Sequence, residues 1–354
     1  MNDMTTPRTS LYRDMSAHHL TPLWEVLHQL VPVRPQPAAV PCFWSYAAVR
    51  PFIERAGKAI TAEEAVRRVL ILENPGLPGR SSVTGSLYAG LQLILPGEIA
   101  PAHRHTQSAL RFIVEGSGAY TAVNGERTTM YPGDFIITPS WTWHDHGNEG
   151  GEPVVWLDGL DIPTVGFYDA GFAESATTRS QTVARPEGAS AALFGSNMAP
   201  MADEASRPHG PTSPLFTYPY GRARDALVSL ARFAPPDPWD GIKLRYTNPA
   251  TGGWPMPTIA TFLQRLPAGF RGKGYRQTDG AVSSVVEGHG RAIVTSDASP
   301  SASTQTFEFG PRDHFVVPSW SRLALEAEDD AILFSFSDRP AQQALGLWRE
   351  QRHD

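Results

Sequence analysis

At 354 residues, 41% hydrophobic and 19% charged, the chain has apolar material for two hydrophobic cores rather than one. Thirty basic against 36 acidic residues give a net charge of −6, and the scattered basic residues form no stripe, which argues against nucleic acid as a partner. Apolar runs such as Phe135-Ile136-Ile137 fall far short of the ~20 residues of a membrane span; the lone Cys42 excludes an intrachain disulfide, and the polar stretch Met1–Met15 has no signal-peptide core, so a cytoplasmic protein is expected.

Residues 1–66 read as a partly helical arm. Thr21-Pro22 has the form of an N-cap and first helical residue, followed by Leu23, Val26, Leu27, Leu30 and Val31 at helical spacing. From 67 to 171, short apolar or alternating runs are punctuated by glycine and proline (31 and 32 in the chain), the pattern of an all-β barrel or sandwich. Residues 172–245, rich in Ser, Thr, Ala and Pro with little periodicity, read as an extended interdomain crossing with short ordered pieces. A second β-domain is expected over 246–337. A helical signal over 338–354 runs from Arg339-Pro340 through Leu345 and Trp348.

The two β-domains are an internal repeat. Val114-Glu115-Gly116-Ser117-Gly118 is echoed by Val286-Glu287-Gly288-His289-Gly290, and Asp134-Phe135-Ile136-Ile137-Thr138-Pro139-Ser140-Trp141 by Asp313-His314-Phe315-Val316-Val317-Pro318-Ser319-Trp320. His103, His105 and His144 of the first copy become Tyr275, Gln277 and Leu323 in the second. The second copy therefore keeps the turns and loses the chemistry.

Residues i and i+2 of a strand share a face, so His103 and His105 point one way, as do His144 and His146. Three neutral imidazoles on a divalent ion leave its charge uncancelled and coordination positions open, as a catalytic site requires. His146 reads as a further ligand, an acid/base group or a hydrogen-bonding partner of substrate, a role in supporting the ligands or contacting substrate being favoured. Arg111 shares the parity of His103 and His105, so a continuous strand aims its guanidinium into the same cavity, where it needs an anion. Arg67, one of an Arg67-Arg68 pair, is a second candidate. Tyr88, Gly90 and Gln92 share a strand face; Gln92 suggests a polar cavity, and Gly90 leaves room for a ligand. Asp158 reads equally as a carboxylate that orients a histidine or an arginine and as a turn carboxylate.

Gly97, five residues, His103-x-His105, then Gly133, five residues, Pro139, His144 and Asn148 resemble the cupin pattern. Ala109, Leu110 and Arg111 stand where a carboxylate ligand often follows the second histidine, and Trp141 replaces a usual glycine. Pro101 to Phe112, Trp156 to Pro163 and Asn248 to Gly253 further resemble the bicupin gentisate 1,2-dioxygenases, related to salicylate and 1-hydroxy-2-naphthoate dioxygenases. That resemblance implies two jelly-roll-like barrels with helical N- and C-terminal extensions, one Fe(II) per chain on His103, His105 and His144, and a homotetramer. It also implies substrate-contacting or supporting roles for Arg67, Gln92, Arg111, His146 and Asp158, and cleavage of gentisate by dioxygen between its carboxyl- and hydroxyl-bearing carbons to maleylpyruvate. Tyr88, where the salicylate-cleaving relative has tryptophan, leans toward gentisate. The alternatives are salicylate or 1-hydroxy-2-naphthoate as substrate, a non-oxidative metal cupin such as an isomerase or decarboxylase, and a small-molecule-binding cupin.

Overall fold

A computed structural model of the chain describes residues 7–196, 210–296 and 303–352, so parts of the expected arm, crossing, second barrel and C-terminal helix lie outside the described residues. The chain divides into two units, Met1–Gln36 and Pro37–Asp354. The first holds helices Pro7–Ala17 and Leu23–Leu30, joined through Glu25, which accepts hydrogen bonds from Arg8 and from Tyr12 (2.5 Å). Pro22 rather than Thr21 occupies the N-cap, and no side chain caps this helix. No described helix is long and apolar enough to cross a membrane.

The second unit contains two β-barrels whose strand orders coincide. In the first barrel one sheet runs Thr217–Tyr218, Phe135–Thr138, Ala109–Glu115, Val154–Leu160, Tyr88–Ile94, Val69–Ile71. The other runs Ala173–Ser175, Ile99–His105, His144–Asn148, Ala119–Val123, Glu126–Thr129. The second barrel repeats this with Cys42–Trp44, His314–Val317, Ala281–Glu287, Ala331–Ser337, Ala260–Leu266, Ile242–Arg245, and then Glu350–Arg352, Tyr275–Gln277, Arg322–Ala327, Gly290–Ser296, Ser303–Phe309. Neighbouring strands of the first barrel's histidine-bearing sheet pair antiparallel, with an irregularity between Ala100 and His103, and the pleat of His144–Asn148 turns His144 and His146 to one side while Asp145, on the other, accepts from the Gln181 N–H (3.0 Å).

The outermost strands are exchanged. Cys42–Trp44, which leads into the first barrel, pairs with His314–Val317 of the second, and Thr217–Tyr218, which leads into the second, pairs with Phe135–Thr138 of the first. A helix follows each leader strand, Tyr46–Ala59 and Tyr220–Ala231, and ties the barrels together. The Tyr46 hydroxyl donates to Glu115 (3.0 Å) and its N–H to Asp313 (2.8 Å); the Tyr220 hydroxyl donates to Glu287 (2.5 Å) and its N–H to Asp134 (2.9 Å). Arg50 and Arg224, one helical turn on, join the same glutamates. Between the barrels the cores fuse: Phe334 stacks on Phe112 with ring centroids 4.1 Å apart, and Phe336 lies against Gly159, where a Cβ would come within 2.8 Å of its ring.

Two expectations are corrected. Among its described residues the expected crossing, 172–245, supplies short strands to both barrels, and Ile242–Arg245 already belongs to the second barrel through its pairing with Ala260–Leu266. Tyr220–Ala231 escaped notice because its buried stripe is mostly alanine, with Leu227 its one fully buried residue. The C-terminal helix covers only Arg339–Ala344, stopped by Gly346 at φ +71°, and Glu350–Arg352 instead pairs with Tyr275–Gln277.

Candidate active site

His105 ends the strand Ile99–His105, and His103, two residues earlier, pairs with His144, which begins His144–Asn148. The rings of His103, His105 and His144 sit 4.4–5.2 Å apart between centroids, with one ligand atom from each within 4.8 Å of the others. Two rings are oriented by the backbone: the Nδ1 atoms of His105 and His144 each lie 2.9 Å from a carbonyl, those of Gln107 and Thr142. A carbonyl can only accept, so the proton resides on Nδ1 and the Nε2 lone pair faces the cavity. The His144 Nε2 is buried without a partner. Burial holds His105 down to about 4, His103 to about 2 and His144 well below the usual histidine range, with Arg111 adding repulsion to all three and Arg67 to His103 and His105. The imidazoles are neutral, as metal binding requires.

Opposite them, the inner face of the facing sheet carries Arg111 and Asp158 as cross-strand partners. Arg111 is 4% exposed; it donates to the Thr138 hydroxyl, its Nε lies 3.7 Å from Asp158, and that Nε has no hydrogen-bond partner. Asp158 in turn accepts from the Trp156 indole N–H (2.9 Å), yet burial outweighs its partners and pushes it up to about 6. Arg67 donates to the Pro101 carbonyl (2.7 Å) and lies 3.3 Å from His103 Nε2; burial, with repulsion from Arg111, lowers it to about 9. Arg68 turns away, paired with Glu98. The cavity thus faces two guanidinium groups balanced by a single buried carboxylate, an arrangement that attracts an anion.

Arg111 reaches the cavity by a different route from the one expected. The chain turns at residues 106–108, so Arg111 belongs to the opposing sheet and is not a continuation of the histidine strand. Gln92 is buried on that sheet, paired in register with Trp156 and Val69. Gly90 is required, but not directly for a ligand: a Cβ there would meet Val69 Cγ1 at 2.5 Å and the Tyr88 hydroxyl at 2.9 Å. Tyr88 therefore lies over Gly90, its ionisation disfavoured by burial and by Asp158. His146 is fully buried and outside the three-histidine cluster; its Nδ1 lies 3.0 Å from the Thr121 hydroxyl and its Nε2 has no partner. Thr121, Thr138 and Trp156 went unnoticed in the sequence, although Thr138 and Trp156 have the inward parity of Ile136's partner Arg111 and of Asp158. Trp141 occupies the left-handed region (φ +58°), which explains the usual glycine at its position; its N–H donates to the His105 carbonyl (2.7 Å) and Arg104 stacks over its ring at 4.4 Å.

A cupin-domain model matches residues 90–160. Gentisate 1,2-dioxygenase 1 of Aquipseudomonas alcaligenes is 49% identical over 350 residues, spanning 99% of this chain and 98% of its own. The chain belongs to the gentisate 1,2-dioxygenase family. A 1-hydroxy-2-naphthoate 1,2-dioxygenase of Nocardioides is 37% identical over 90% of this chain and 80% of its own length. Among solved structures, salicylate 1,2-dioxygenase of Pseudoaminobacter salicylatoxidans with gentisate superposes with a TM-score of 0.90 at 33% identity, over 100% of this chain and 96% of that one. Its tryptophan-to-tyrosine variant with gentisate gives 0.90 and 33% over 100% and 97%.

The donor set suits the mononuclear iron(II) of these gentisate 1,2-dioxygenase relatives: three neutral imidazoles converge, and the buried His144 Nε2 is left for a ligand. Among the described residues this is the one such cluster. In the second barrel Tyr275 faces Leu323 as His103 faces His144, Ser283 and Ser335 replace Arg111 and Asp158 in register, and Arg339 donates to Gln277. Its interior keeps a small cavity lined by Tyr275, Gln277, Ser283, Ser335 and Arg339, with no histidine among them.

Proposed function

We propose that this protein is an iron(II)-dependent dioxygenase that opens gentisate between the carboxyl-bearing carbon and the adjacent hydroxyl-bearing carbon, giving maleylpyruvate. The observation that carries the reading is the pair of arginines, half-buried Arg67 and buried Arg111, facing the three-histidine cluster with Asp158 as their shared carboxylate. His103, His105 and His144 would hold the iron, which when bound supplies the redox path between an electron-rich ring and dioxygen. Arg67 and Arg111 receive the substrate carboxylate; the unsatisfied Arg111 Nε and the net positive cavity favour an anion over a neutral phenol. Asp158 and Thr138 hold the Arg111 fork in place, so its geometry is set before substrate arrives. Gln92, His146 and Tyr88 line the remaining walls and fix the hydroxyl groups, and the packed barrel keeps bulk water from the ring.

The test is anaerobic reconstitution with Fe(II), then aerated gentisate with oxygen electrode and ultraviolet monitoring. One dioxygen consumed per gentisate, with the ring-opened product's absorbance, is expected. Ring chemistry without oxygen uptake would assign a non-oxidative cupin, and faster turnover of salicylate or 1-hydroxy-2-naphthoate than of gentisate would overturn the substrate assignment.

The metal-free barrel and the terminal helices serve assembly, and the working form is a cytoplasmic homotetramer. Leu23, Trp24, Leu27 and Leu30 support this, since they leave the helix Leu23–Leu30 with an exposed apolar face. Sedimentation at working concentration tests it; an active monomer is the contrary result.

A further inference from the structure

Thr121 and His146 are register partners on adjacent strands, and the interaction between them is directional. The Thr121 hydroxyl has one proton. Its oxygen lies 3.4 Å from the Met130 sulfur, which can only accept, and 3.0 Å from His146 Nδ1. Thr121, Met130 and His146 are all fully buried, so no water competes for these groups. When the proton goes to sulfur, the threonine oxygen accepts and His146 Nδ1 donates. Both contacts are then satisfied; the reverse arrangement, hydroxyl to Nδ1, would leave the sulfur without a donor and the hydroxyl with one bond instead of two. The arrangement that satisfies both contacts places the ring's single proton on Nδ1. Nε2, buried and without a partner, carries a bare lone pair.

From this we infer that Thr121 and Met130 are positioning residues that lock His146 as a hydrogen-bond acceptor toward substrate, so that Nε2 receives a hydroxyl proton of the bound hydroxybenzoate and does not donate to it. The inference rests on the proposed function for the existence of that substrate. It adds which way His146 faces it, and what holds it so. An acceptor suits its surroundings: Arg67 and Arg111 already supply cationic donors for the carboxylate, whereas, apart from the wall residue Gln92 and the buried Asp158, the phenolic protons meet few acceptors. The alternation of the strand gives the same answer from the other side, since His144 needs its Nε2 for metal and its Nδ1 proton for the Thr142 carbonyl, leaving His146 to serve the ligand.

The experiment is a mutant cycle on the iron-loaded full-length enzyme, read as iron content, as the dissociation constant of gentisate under anaerobic conditions, and as kcat/KM in air. Thr121→Val removes the hydroxyl at constant shape and is expected to weaken gentisate binding and kcat/KM by about tenfold, the worth of one buried hydrogen bond, with iron content unchanged. Thr121→Ser, which keeps the hydroxyl, should recover to within about threefold. Met130→Leu, which frees the hydroxyl proton to turn toward Nδ1, should lower binding without loss of iron. In a His146→Ala background Thr121→Val should have no further effect, because its action passes through the imidazole. Equal effects of Thr121→Val with and without His146 would overturn the positioning role, as would a Thr121→Ser variant no better than Thr121→Val. An unimpaired His146→Ala enzyme would instead remove His146 from substrate, a failure of the site reading that is distinct from failure of the relay.

Discussion

Tyr46 and Tyr220 make the same two hydrogen bonds with the barrels exchanged: each gives its N–H to the aspartate of one barrel and its hydroxyl to the glutamate of the other. Each tyrosine begins a helix whose next turn carries an arginine on the same glutamate, so the tie between barrels is built twice from equivalent parts. Tyr46→Phe and Tyr220→Phe should each cost about 1–2 kcal/mol, since each removes a bond to a partly buried carboxylate. Calorimetry should show one transition for both barrels, lowered by about 1–3 °C in either variant. Two separable transitions would mean that the exchanged strands do not couple the barrels.

Metal analysis should return one iron per chain, carried by the first barrel. His103→Ala should abolish it, whereas Tyr275→Phe in the second barrel should leave it intact, because Tyr275 is engaged with Asp240 at 2.7 Å and faces Leu323, not a ligand. Two tightly bound equivalents per chain would contradict this.

Arg111→Ala should lower kcat/KM on gentisate by roughly 30- to 1000-fold, the ~2–4 kcal/mol of a charge-assisted partner in a partly dry cavity. Arg111→Lys should recover little of it, because an ammonium cannot span both Thr138 and the substrate carboxylate as the planar fork does. Iron should remain bound in both. Loss of iron together with activity would make Arg111 a scaffold residue, and parental turnover would remove it from the carboxylate.

How much of this was legible in the sequence follows how local each relationship is. The three histidines were, because an i,i+2 pair and a fixed offset suffice. Arg111 was identified for a reason the fold does not use, since parity was carried across a turn at 106–108 that moves the residue to the other sheet. Arg67 could not be told from Arg68: Val66 sits at φ +56° and the strand starts only at Val69, so no parity reaches back to either arginine. The exchanged leader strands were invisible because Phe43-Trp44-Ser45-Tyr46 and Thr217-Tyr218-Pro219-Tyr220 share little beyond the final tyrosine. What makes them equivalent is a contact between segments far apart in the chain.

His314 stands where the first barrel has Phe135, fully buried with neither ring nitrogen hydrogen-bonded, and burial lowers it to about 3. An unfolded histidine titrates near ~6.5. Between these values the unfolded chain takes up a proton that the folded chain refuses; the contribution is intact above about 6.5 and is lost on acidification at up to ~1.4 kcal/mol per pH unit. His314→Phe should therefore be more stable than the parent by a margin that widens as the pH falls from 7 to 4. A margin independent of pH would show that His314 is not buried in its neutral form.

Phe334 lies flat on Phe112 and Phe336 presses on Gly159, so the barrel without metal abuts the two strands that carry Arg111 and Asp158 from behind. Each of these contacts falls one residue from a charged group of the cavity. A ring lost or enlarged on Ala331–Ser337 would shift the backbone that aims the guanidinium, and the effect would surface as altered substrate affinity, not as loss of fold. The catalytically silent half of the molecule is therefore a place where relatives with the same first-barrel residues can diverge in the hydroxybenzoates they accept.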